Sequence, residues 1–154
     1  MSINEIINSL ETQIHNLRNF LVIIKSKQDS LIKRDIEALS LSMESEEKFI
    51  AKIDKEEQNR LMLMDNLISE IEYNDDKKEL RKLPNFINAI SGITEEGEIE
   101  LLKEKQEVVK DLTQKVIKVN GENRHLIENA KSLLKEIITA AVGERKQSII
   151  DRRI

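Results

Sequence analysis

The side chains able to do chemistry are few and scattered. His15 and His125 are the only imidazoles, and no second nitrogen ligand lies near either in sequence. A metal shell needs several such donors converging on one point, so both histidines read as surface or seam-edge residues. There is no cysteine, which removes disulfides, thiolate metal sites and a thiol nucleophile. Helical bundles hold di-metal centres with a Glu-x-x-His on each of two helices, and that set is missing. No glycine-rich phosphate loop and no nucleophile elbow occurs. The carboxylates concentrate in residues 35–79, with fourteen acidic and six basic side chains for a net −8. They alternate with lysines at helical spacing and read as a solvated face. The chain is expected to be a non-enzyme without a cofactor.

The elements that would carry these residues are long helices. Charged residues make up 35% and aromatics 3%, with one Pro and four Gly, a profile of long helices or coiled coil. At 154 residues one domain with a real core is expected. No apolar run approaches the length of a membrane span. Met-Ser-Ile-Asn-Glu lacks the basic start and apolar core of a signal peptide, so the expected place is the cytoplasm. No long segment carries the concentrated basic face that a duplex nucleic acid requires. The basic end, with three isoleucines, makes membrane-surface binding marginal, and no stable insertion is expected.

The seam the rest is organised around lies in residues 95–142. It reads Leu102, Lys105, Val109, Leu112, Val116, Val119, Asn123, Leu126, Ala130, Leu133, Ile137 and Ala140, alternating four and three as in a coiled coil. Asn123 occupies an apolar position, where a buried amide costs stability but fixes register. Gly121 costs about 1 kcal/mol against alanine in a helix interior, which suggests a kink or a close helix approach, unless both residues are simply tolerated on a solvated stretch.

A first helix is expected over residues 1–33, with the seam Ile3, Ile7, Leu10, Ile14, Leu17, Leu21, Ile24, Gln28 and Leu31. Ser2 and Glu5 form a capping-box pattern, and Ile6, Phe20, Val22, Ile23 and Ile32 widen the stripe enough for two neighbours. The second helix spans 35–73, with Asp35 as its N-cap unless the first helix runs on through it. Its seam is Ile36, Leu39, Met43, Glu46, Ile50, Ile53, Glu57, Arg60, Met64, Leu67 and Ile71. Met62, Leu63 and Met64 read as core filler. In the connection, 74–94, Phe86, Ile87, Ile90 and Ile93 allow a short amphipathic helix after Pro84. Thr94 reads as the cap of the third helix and Gly143 as its end, before a basic tail, 143–154, that frays unless docked.

The fold expected is therefore all-α: an elongated antiparallel bundle or coiled coil of three long helices, with a short helix before the last. At 1.5 Å per residue they measure roughly 48, 58 and 72 Å, so the third overhangs its partners by about 14–24 Å. An apolar end with nothing to pack on is what a partner site looks like. A homodimer, or the short helix folded over that end, would equally cover it.

The chain resembles the flagellar export chaperones of the FlgN type over nearly its full length. The resemblance rests on the order of three long helices, on the acidic middle helix with Leu39 and the stretch Glu56-Glu-Gln-Asn-Arg60-Leu, and on Asn120-x-x-Asn123-x-x-Leu126-Ile127. It implies a small cytoplasmic protein that binds the C-terminal amphipathic helix of hook-associated, hook–filament junction proteins. Such a chaperone prevents their premature assembly and delivers them to the flagellar export apparatus. The family's contact region maps onto about 126–154. Together with the apolar overhang, this marks Leu126, Leu133, Leu134, Ile137, Ile138, Val142, Ile149 and Ile150 as partner-binding candidates, with Asn120 and Asn123 as motif and register residues. A structural coiled-coil scaffold that dimerises through the same seams is the rival expectation.

Overall fold

A computed structural model describes the backbone of residues 3–70 and 77–153, and the side chains of 3–70 and 78–143. Ser2, Ile71 and the side chains of Ile149 and Ile150, all named above, lie outside the described residues. The helices are α1 (Ile3–Lys33), α2 (Ile36–Glu70), α3 (Lys77–Leu80), α4 (Leu83–Ile90) and α5 (Glu96–Arg153). No strand occurs among the described residues, and the fold is the all-α bundle expected. The three long helices run up, down and up.

The central helix is α1, not α5. It packs along both α2 and α5, whose backbones come close to each other almost nowhere. Its sequence shows why: an inward residue recurs every three or four positions on two adjoining faces, with Ile3, Ile7, Leu10, Ile14, Leu17 and Leu21 joined by Ile6 and Phe20, all buried. A stripe this wide serves two neighbours at once. Val22 and Ile32, expected to widen it further, are instead exposed; they sit on the rim of the stripe where neither partner reaches.

Between α1 and α2 the chain reverses over two residues. Arg34 adopts a left-handed conformation with φ 55°. Its N–H bonds to Leu31 O at 3.4 Å, and the Asp35 N–H bonds to Ser30 O at 3.0 Å, the paired bonds of a Schellman closure. The Asp35 carboxylate then accepts the Ala38 N–H at 3.1 Å, so one residue closes α1 and caps α2. Helix 1 does not run on.

At the other end the connection folds back into the core. Pro84 sits in the first turn of α4, where its missing N–H costs nothing. Leu83, Phe86, Ile87 and Ile90 all face inward, and Ile93 past the helix end is exposed. They join Ile3 to Leu10 of α1, Met64, Leu67 and Ile68 of α2, and Ile99 and Leu102 of α5 in one apolar cluster. Arg81 reinforces this end with two hydrogen bonds to Asp65, at 2.9 and 3.3 Å. That hydrogen bond first, and the carboxylate charge second, raise the guanidinium above its ordinary pKa. The short helix thus closes the end opposite the overhang.

Three local expectations need correction. Thr94 makes no cap, and its buried hydroxyl has no partner; Glu95 O accepts the first amide bonds of α5 instead. Met62 is exposed while Met64 is fully buried, so the methionine cluster is split by the helical turn between them. Gly121 is exposed in unbroken helix, and a methyl group added there would meet nothing within 4 Å. It marks neither a kink nor a close approach. Gly121→Ala is expected to raise stability by about 1 kcal/mol in chemical denaturation, the helix-propensity difference alone.

Candidate functional site

The arrangement of α5 along α1 defines the end of interest. The two run parallel: Lys105 reaches Glu11 at 3.4 Å, and further along Asn123 Nδ2 donates to Ile24 O at 2.9 Å. A second apolar cluster, with Ile14, Leu17, Phe20, Leu21 and Ile24 against Leu112 and Val119, fills the span between. The α5 seam is covered down to Asn123, which is buried. After it the burial of the same four-and-three seam falls away. Leu126 is half-buried, and Ala130, Leu133, Ile137 and Ala140 are exposed. On that register α1 stops level with about residue 132, so α5 projects roughly 15 Å further to Gly143.

Of the residues predicted for partner binding, Leu133, Leu134 and Ile137 are exposed large apolar side chains on this projection, Leu134 by 58% and Ile137 by 53%. Ile138 and Val142 are half-buried. The alternative that the short helix covers them does not hold, because α4 is packed at the opposite end. Gly143 breaks the helix at φ 70°, ψ 167°, a conformation open essentially to glycine alone. The backbone resumes as helix to Arg153, so Gly143 redirects α5 where the sequence suggested a stop and a frayed tail.

Beside the projection, Lys27 of α1, Glu46 of α2 and Asn120, Asn123, Ile127 and Lys131 of α5 line a cleft of about 380 Å3. Lys27 and Glu46 are paired at 2.9 Å. The Asn-x-x-Asn-x-x-Leu-Ile stretch therefore runs along this cleft. Asn123 ties the register of α5 to the backbone of α1, yet its Oδ1 is buried without a protein partner. Ile24 O also sits within the α1 helical ladder, so losing the amide leaves no orphan carbonyl. Asn123→Leu is expected to hold or raise the melting temperature, since a buried polar group with one unsatisfied atom contributes little net stability. The same change should broaden association, seen as mixed oligomers in sedimentation, because an apolar seam tolerates slippage.

The titratable residues do not assemble. His15 Nε2 lies 3.0 Å from the Asn19 amide on an exposed face, and His125 is exposed. Glu122 and His125 do form one Glu-x-x-His, which the sequence reading passed over; Glu122 accepts a 2.7 Å bond from Gln28. Among the described residues no group of three or more His, Asp or Glu could hold a metal ion. The sequence also missed the polar contacts between α1 and α2. Ser9 donates to Glu56 at 2.6 Å, Gln13 to Ile53 O at 3.1 Å, and Ser26 and Ser42 lie 3.4 Å apart. Ser42, Phe49 and Glu56, seven residues apart along α2, were the available signal.

Taken together, the fold defines an all-helical bundle of the coiled-coil class with one seam left open at one end. The chain matches the family described as FlgN protein over residues 1–150, and it belongs to that family of flagellar export chaperones. Comparisons with curated proteins and with solved structures give no match. No described helix is long and apolar enough to cross a membrane.

Proposed function

We propose that this chain acts in the cytoplasm as the export chaperone of hook-associated, hook–filament junction proteins. It holds the C-terminal amphipathic helix of its client, prevents premature assembly and hands the client to the flagellar export apparatus. The observation that carries this reading is the projecting end of α5, where Leu133, Leu134 and Ile137 are exposed beyond the end of α1. An amphipathic helix is the partner that such a face takes, apolar stripe against apolar stripe. Leu126, Ile138 and Val142 belong to the same surface, and Ile149 and Ile150 are proposed to add to it from beyond Gly143. The role is binding and not catalysis.

Calorimetric titration of the full chain with a synthetic peptide tests this, the peptide being the C-terminal helix of the hook-associated protein encoded in the same genome. Saturable one-to-one binding is expected. A chain that forms a stable dimer with the α5 end buried, and ignores the peptide, is a structural scaffold instead.

A further inference from the structure

We propose that the groove between α2 and α5 is the vacant fourth position of a four-helix bundle, filled by a client helix that is basic along the flank meeting α2. This rests on the chaperone reading and extends its site from the α5 projection onto a second helix.

One heptad seam of α2 carries the argument. At its C-terminal end Met64 and Leu67 are fully buried, in a cluster shared with Phe86, Ile87 and Ile90 of α4. There α4 supplies the fourth helix beside α1, α2 and α5. But α4 is only 8 residues long. Toward the N-terminus of α2 the same seam is uncovered, with Ile50 exposed by 50%, Met43 by 47% and Ile36 by 80%. These three recur every seven residues in phase with Met64, which is the spacing of a coiled-coil contact and not of scattered surface residues. Their partner is not α1, which is met by the neighbouring positions Ser42, Phe49 and Glu56.

The opposite wall is α5. Asn120, Arg124, Ile127 and Lys131 continue to Leu134 and Ile138 with the same four-and-three spacing, and the first four line the cleft together with Glu46. Glu46 lies three residues after Met43 and four before Ile50, so all three share one face of α2. The floor is α1, with Lys27, beside the buried Asn123 of α5. A helix laid in this groove would contact α2 and α5 and lie diagonal to α1.

Charge selects the occupant. Residues 35–47 carry Asp35, Glu37, Glu44, Glu46 and Glu47 and no Lys or Arg. Glu47 and Asp54 are exposed, each four residues beyond Met43 and Ile50, and so edge the apolar stripe. A helix with Lys or Arg beside its own stripe is attracted to this wall, and an acidic one is repelled.

The test uses the full chain and the client-helix peptide, with each variant checked by circular dichroism and melting. Met43→Glu with Ile50→Glu is expected to weaken binding at least tenfold. Glu47→Lys with Asp54→Lys is expected to weaken it, and exchanging the peptide's flanking Lys or Arg for Glu should restore it. The second pair alters only exposed charges and keeps the test valid if the first pair perturbs folding. Unchanged affinity in both pairs, with binding lost in Ile137→Asp/Ile138→Asp, would overturn the groove and leave the chaperone reading intact. No binding of the unaltered chain to the peptide would overturn both.

Discussion

Ile137→Asp combined with Ile138→Asp is expected to abolish client binding while leaving helicity and melting temperature nearly unchanged. Ile137 is exposed and Ile138 half-buried on the part of α5 that has outrun α1 and α2. The folded chain therefore loses little when they become polar, beyond the small difference in helix propensity. The complex loses much more. Burying an isoleucine fully is worth about 1.5–3 kcal/mol, so two such contacts shift affinity by about a hundredfold or more. Titration with the client peptide reads the effect, and circular dichroism checks the fold. A double variant that unfolds would make this run internal core. One that stays folded and still binds would remove the C-terminal half of α5 from the contact surface.

Phe86→Ala is expected to have the largest effect on stability, about 3–5 kcal/mol in urea denaturation. Phe86 is fully buried where α1, α2, α4 and α5 meet, and among the described residues no other aromatic shares that cluster. Deleting the ring removes its transfer free energy and leaves a void that a short helix pinned by Pro84 collapses into poorly. Against a typical total of about 5–15 kcal/mol, much of the native population is at stake. A loss below about 1 kcal/mol would mean that α4 is a dispensable lid.

The sequence made the fold legible where burial and periodicity coincide. The α1 seam from Ile3 to Ile24 is buried throughout, and the α5 seam is covered from Leu102 to Asn123. Phe86, Ile87 and Ile90 announced α4 by spacing alone. Reading α5 as the centre was wrong because a long, regular seam advertises contact without saying how many neighbours share it. The wider stripe of α1 held that information.

The α2 seam was legible only in part, since Ile53, Met64 and Leu67 pack inward while Ile36, Met43 and Ile50 are exposed. Its contacts with α1 include Glu46 of that seam, but also Ser42 and Glu56 beside it, which hydrogen-bond across the interface. A search for apolar repeats passes over Ser42 and Glu56 and finds Ile36, Met43 and Ile50, which no described residue covers. The unpartnered end of α5 was legible from helix lengths. The cleft beside it was not, because Lys27, Glu46 and Asn123 come from three separate segments and only the tertiary register brings them together.

The two apolar clusters both lie on the α4 side of Asn123, and this sets how the molecule breathes. Amide protons around Leu102 and Phe86 should exchange only on global unfolding, whereas those beyond Leu126 exchange by local opening at far lower free energy. The part proposed to grip is thus expected to open more readily than the packed core. A segment stiffened by its client gives up some binding energy to that ordering, which favours a hold that can be released. Protection from hydrogen exchange in this segment would then report occupancy directly, rising when a client is seated and falling when it leaves.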